Sequence, residues 1–103
     1  MSDCIFCQIA NHQLPATIVY EDSSYIAFLD IHPESEGHTL VIPKDHYRWV
    51  WDVPDVGTYF DTTRKIALQL AAQYKTEVVH SSIRGELIAH AHIHLFPVIP
   101  PNR

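Results

Sequence analysis

The chain is expected to fold as one α+β domain, an antiparallel sheet of about five strands with one long helix and a short N-terminal helix. Two patterns predict this class. Strand-length apolar segments cluster on either side of a single stretch of helical spacing, and no βαβ unit or internal repeat recurs. Near the C-terminal end, Leu87 to Phe96 alternates strictly, so that His90, His92 and His94 fall on one face of a strand and Ala91, Ile93 and Leu95 on the other.

The elements follow in order. Asp3 caps a short helix running to about Asn11, with Ile5, Phe6 and Ile9 on its apolar side, and Cys4 and Cys7 share a helix face or a turn. Pro15 breaks what precedes it. Ile18 to Tyr20 is a short strand before a turn at Glu21 to Ser24. Tyr25 to Leu29, apolar on both faces, reads as a central strand that runs out at Asp30. A polar loop, Ile31 to Gly37, leads into a strand from His38 to Ile42, and Pro43 ends it because proline cannot donate to a continuing ladder.

Trp49 and Trp51 cover either the edge of the core or a partner surface. Asp52 and Asp55 signal a helix start, and Val56, Tyr59, Thr63, Ile66, Leu70 and Tyr74 recur at helical spacing, which predicts a helix from about Pro54 to Tyr74. Glu77 to His80 is a short strand. Ser81 to Glu86 turns the chain back, with Gly85 available for an unusual backbone angle, and Leu87 to Phe96 is the last strand, ended by Pro97. The proline-rich tail Val98 to Arg103 is extended.

At 103 residues and 47% hydrophobic content this is a single domain with a small core. A partner subunit or a bound metal would add stability that so small a core lacks. Seven basic against twelve acidic residues give a formal charge of −5, which argues against a duplex nucleic-acid surface but leaves room for a small anion in a locally positive pocket. No apolar run reaches bilayer length, and the start MSDCIFC lacks a basic region followed by an apolar core. Cytoplasm without membrane attachment is the expectation, and there two cysteines are reduced, catalytic or metal-bound rather than a structural disulfide.

Three alternating imidazoles can act together on one small anion, because each ring can serve as nucleophile, proton carrier or cationic donor near neutral pH. They can equally ligate a metal, or satisfy a core. The segment HAHIHLF resembles the histidine triad (HIT) signature. The similarity extends over nearly the whole chain, through CIFCQI at Cys4 to Ile9, YEDSSYIAFLDIHP at Tyr20 to Pro33 and GHTLVIPKDHY at Gly37 to Tyr47.

That resemblance implies a HIT-like fold and a homodimeric hydrolase, containing structural zinc, that acts on purine nucleotides or their conjugates. It implies a nucleophile at His92, with His94 and His38 holding phosphate oxygens. Asp30 would bind the ribose hydroxyls and Ile31 would lie beside the base, with Phe6 and Ile18 as pocket walls. The metal ligands it implies are Cys4, Cys7, His46 and His90, two thiolates and two imidazoles as in a tetrahedral zinc site. The chemistry implied is release of a nucleoside monophosphate, AMP foremost, from an amine or phosphate leaving group.

The chain departs from the family pattern at Gly85-Glu86-Leu87, where a neutral donor and a small residue are usual. It also lacks the usual asparagine of the preceding strand, for which His80 could substitute. Those departures keep two other readings open, a nucleotide-binding protein without turnover and a zinc-dependent structural module.

Overall fold

In the computed structural model, residues 3–100 are described, and Pro101 to Arg103 of the expected tail lie outside them. Helix α1 spans Ile5–Ala10, and strands β1 (Ile18–Glu21), β2 (Tyr25–Leu29) and β3 (Thr39–Pro43) follow. After a short 3-10 turn at Val50–Asp52 come helix α2 (Val56–Gln73) and strands β4 (Val79–Ile83) and β5 (Ile93–Pro97). The five strands form one antiparallel sheet in the order β1-β2-β3-β5-β4, as the expected class requires.

Strand alternation divides the interior into two layers. Tyr25 and Ala27 of β2, Val41 of β3, and Ile93 and Leu95 of β5 pack on the α2 side with Tyr59, Ile66 and Leu70. Ile26, Phe28, Leu40 and Ile42 point to the opposite face, where Phe6, Ile9 and Ala10 of α1 cover them. Because His92 and His94 alternate with Ile93 and Leu95, they fall on the α1 side, and Phe6 meets the His92 ring edge-on at 5.3 Å. The long helix thus builds the core, and the short one walls the site.

Several boundaries differ from the sequence reading. Cys4, not Asp3, caps α1, its Sγ accepting the Cys7 amide at 3.4 Å. Glu21 belongs to β1, and the turn after it is held by Asp22, whose carboxylate accepts the Ser24 and Tyr25 amides. Helix α2 starts two residues later than Pro54, because Asp55 takes the Thr58 amide while Asp52 is occupied by the Trp49 amide. Strand β4 begins at Val79 and continues through Ser81 and Ser82 to Ile83. It is an edge strand, and its polar centre hides the strand from a hydrophobic pattern.

The largest difference is in the last strand, which begins at Ile93 rather than Leu87. Its neighbours explain why. Ile93 pairs with Ile83, the last residue of β4, and with Val41 of β3, beyond which only Ile42 and Pro43 remain for the preceding residues. Pro43 has no N–H to offer them, and its carbonyl accepts instead from the His90 ring. Gly85 is also used differently from the expectation. Among the described residues only Gly37 is a glycine with positive φ, whereas Gly85 lies under the Trp49 ring, where any Cβ would collide.

Tyr59 is fully buried and its hydroxyl donates to the Val41 carbonyl at 2.6 Å, tying α2 to the strand beside the site. Replacing Tyr59 with Phe should lower stability by about 1 kcal/mol, since one buried hydrogen bond is lost with little change in volume. A lower urea midpoint at unchanged slope would report it; an unchanged midpoint would contradict the tie.

Candidate active site and metal centre

The hydrogen bonds around four buried histidines fix which ring nitrogen carries a proton. His92 places Nδ1 at 2.7 Å from the carbonyl of His90, so Nδ1–H donates there and Nε2 keeps its lone pair. His38 receives the Glu34 amide on Nδ1 at 3.2 Å and is therefore protonated on Nε2. That nitrogen lies 2.8 Å from His94 Nδ1, which accepts from it and leaves His94 a proton on Nε2. One site thus presents a lone pair on His92 and a donor on His94, with the ring centroids 5.0 Å apart.

Burial keeps the donor neutral. His94 is pushed down to about 4, first by desolvation and then by the neighbouring His92. Burial likewise holds His38 below the usual imidazole range, against the opposing pull of Asp30. Asp30 stands just after β2, with Oδ2 at 3.7 Å from His38 Nε2 and Oδ1 accepting the His32 amide.

Two hollows meet at this carboxylate. A cleft of about 300 Å³ is lined by His92, His94, Arg84, Gly85, Glu86 and Leu87. Beside it, an apolar hollow of about 540 Å³ is walled by Ile9, Leu14, Phe28 and Ile31 among others. Phe6, Asp30, His32, Leu40 and Ile88 border both. An anionic group can sit against the histidines while a flat apolar group occupies the neighbour, with Asp30 between them able to accept from hydroxyls.

Glu86 turns its carboxylate back on the amides of Gly85 and itself, which hold it below the usual carboxylate range. Leu87 projects into solvent, 93% exposed, with no polar atom to offer a ligand.

Behind the triad, Cys4, Cys7, His46 and His90 bring one ligand atom each to within 4.8 Å of one another. Cys4 Sγ is 3.3 Å from His90 Nδ1, and Cys7 Sγ is 3.2 Å from His46 Nδ1. A tetrahedral ion with ordinary sulfur and nitrogen bond lengths needs an S···N edge of about 3.5 Å. His90 donates Nε2–H to the Pro43 carbonyl at 2.8 Å, so its Nδ1 lone pair faces the thiols. The group could hold a metal ion. Asp30, His38 and His94 also approach one another, but the shared proton between the two rings fills the space an ion would need.

The residues singled out from the sequence therefore separate into places. His38, His92, His94 and Asp30 come together, and Phe6, Gly85, Glu86 and Leu87 line their cleft, with Ile31 on the adjoining hollow. His80 lies outside that cleft, on a wider hollow where β4 faces Phe96. Ile18, on edge strand β1, lines none of the three. Sequence reasoning named neither Arg84 nor Glu34, and it missed Ile9, Leu14, Phe28 and Ile88 as walls; only the fold reveals their shared surface.

Comparison with known proteins accords with this geometry. The HIT-domain family pattern matches residues 11–100. An uncharacterized HIT-like protein of Methanocaldococcus jannaschii is 36% identical over 103 residues, spanning 91% of this chain and 78% of its own length. An adenosine 5′-monophosphoramidase of Saccharomyces cerevisiae is 35% identical over 99 residues, spanning 91% of this chain and 61% of the yeast protein. The crystal structure of a HIT-family member from Bacillus subtilis superimposes with a TM-score of 0.89 at 34% identity, covering 97% of this chain and 76% of that one. The chain belongs to the HIT family. No helix among its described residues is long and apolar enough to cross a membrane.

A neutral His94 in the fold fixes the direction of a pH effect. Between its folded value of about 4 and an ordinary value near 6.5, the unfolded chain binds the extra proton and the native one does not. Stability should therefore fall as pH drops from about 6.5 to 4, by an amount on the order of 2 to 3 kcal/mol from this residue. Urea unfolding at stepped pH should show a shallower acid decline for His94→Gln than for the wild-type chain. Parallel curves would contradict the assignment.

Proposed function

We propose that the chain is a hydrolase that cleaves a purine nucleoside monophosphate, AMP foremost, from an amine or phosphate leaving group. The observation that carries this is the opposed pair on one cleft, a lone pair at His92 Nε2 beside the His94 donor. The yeast relative's activity on an adenosine phosphoramidate supports the nucleoside and the bond class. The apolar hollow would take the base, Asp30 the ribose hydroxyls and the cleft the phosphate.

In this reaction His92 Nε2 bonds to phosphorus while the bond to the leaving group breaks and carries its electron pair away. Water then attacks the same phosphorus, the nitrogen recovers its pair, and the water's proton passes to solvent. His94 steadies an oxygen through its Nε2–H as charge shifts onto it, while His38, expected to hold an oxygen itself, instead donates to His94 Nδ1 and holds that ring in place.

We assign the Cys4, Cys7, His46 and His90 group to structural zinc, which would join the start of α1, the segment after β3 and the approach to β5. The exposed apolar side chains Trp51, Phe60 and Leu68, on the 3-10 turn and α2, support a homodimer. We take the cytoplasm as the compartment, because both thiols would stay reduced there. A second reading, nucleotide binding without turnover, is favoured by the Glu86 carboxylate at the cleft and the apolar Leu87.

Incubation with an adenosine phosphoramidate should give an adduct one nucleotidyl unit heavier by intact-mass analysis, present on the wild-type chain and missing from His92→Ala. Adenosine nucleotide affinity by calorimetry, with no adduct and no product from any conjugate, would favour the binding reading instead. Elemental analysis should find zinc near one per chain and less in Cys4→Ser; equal zinc in the two would overturn that ligand set. Light scattering at micromolar concentration should give the mass of a dimer, and a monomer would contradict that part.

A further inference from the structure

An amine and an oxyanion make opposite demands as they leave phosphorus. The amine must gain a proton, whereas the oxyanion departs with the electron pair alone and needs positive charge around it.

The triad can offer an amine a proton, from His94 Nε2, but its proton inventory gives an oxyanion no positive charge. His38 Nδ1 is occupied by the Glu34 amide, its single proton lies toward His94, and His94 keeps its own single proton on Nε2. Both rings are neutral, so neither brings positive charge to a departing oxyanion. Burial of His94, which keeps its pKa far below neutrality, agrees with this.

Positive charge is present, on a residue outside the triad motif. Arg84 borders the cleft that holds His92 and His94, and it also borders the wide hollow of about 680 Å³ outside it, beside His80, Ser81 and Ser82 of β4. Its guanidinium forks onto the Glu34 carboxylate, with Nη2 at 3.3 Å from Oε1, and lies 5.5 Å over the Phe96 ring. Phe96 in turn stacks on His94 with an interplanar angle of 1°.

The ion pair is solvent-exposed, 41% at Arg84 and 54% at Glu34, so it is worth no more than about 1 kcal/mol. A bound oxyanion can replace Glu34 at the planar fork, which suits phosphate and sulfate alike.

We propose that Arg84 is the receptor for the leaving group, released by Glu34 when substrate binds, and that it favours conjugates whose leaving group departs as an oxyanion, a phosphate chain or a sulfate. This rests on the hydrolase reading above. As the His92 nitrogen bonds to phosphorus, the P–O bond to the leaving group breaks, the electron pair stays on that oxygen, and Arg84 meets the charge. No proton is required in that step.

The test compares kcat/KM for adenosine 5′-phosphosulfate, diadenosine tetraphosphate and adenosine 5′-phosphoramidate in wild type, Arg84→Gln, Arg84→Lys and Glu34→Gln. Arg84→Gln should lower the oxyanion-to-amine ratio by about tenfold or more, and Arg84→Lys should recover part of it. Glu34→Gln should leave the ratio at or above the wild-type value. A sulfate-only or phosphate-only effect would identify which oxyanion the fork receives. If Arg84→Gln scales all three substrates equally, or changes none, the proposal is overturned. Absence of turnover on every substrate by the wild-type chain would instead strike down the hydrolase reading beneath it.

Discussion

The carbonyl of Pro43 sets the geometry on which the site depends. Proline closes β3 without an amide hydrogen, and the oxygen left there is taken by the His90 ring. With Nε2 so engaged, His90 turns Nδ1 toward Cys4 and Cys7. The carbonyl of the same residue accepts from His92 Nδ1 and so leaves Nε2 of His92 unprotonated. A single proline-ended strand thereby orients both the Cys/His group that could hold a metal ion and the candidate nucleophile. His90 faces both through different atoms, the ring toward the thiols and the backbone toward His92.

Much of this architecture was legible in the chain because hydrophobic spacing is a direct record of burial. Continuous apolarity at Tyr25 to Leu29 marks a strand covered on both faces, and the recurrence from Tyr59 to Leu70 marks the side of α2 that meets the sheet. Resemblance then supplied contacts that no local pattern contains, such as His38 against His94, 56 positions apart. What escaped had no periodic trace. The alternation of Leu87 to Phe96 suggested a longer strand, but alternation is satisfied equally by an irregular segment whose rings are held one by one. Val79 to Ile83 carries two serines and a histidine, and its pairing is enforced by β5 rather than by burial.

Arg84 shows a different limit. An arginine in a turn before a glycine is ordinary surface sequence, and its meaning comes from Glu34, 50 positions away, and from the ring of Phe96 beneath it. Gly85 beside it is similar. Its lack of a side chain accommodates the ring of Trp49, a packing requirement that sequence cannot distinguish from a turn requirement.

Helix α1 has only six residues, far fewer than an isolated helix needs to persist in water. Its attachment comes from Phe6, Ile9 and Ala10 in the second cluster and from the sulfur contacts of Cys4 and Cys7. Yet Phe6 and Ile9 form a wall of the apolar hollow. The hollow is therefore bounded by a unit with little autonomous stability, so local fraying at this end and filling of the hollow belong to one equilibrium. Whatever occupies that space would also act as a splint, slowing amide exchange in a helix it touches only through side chains.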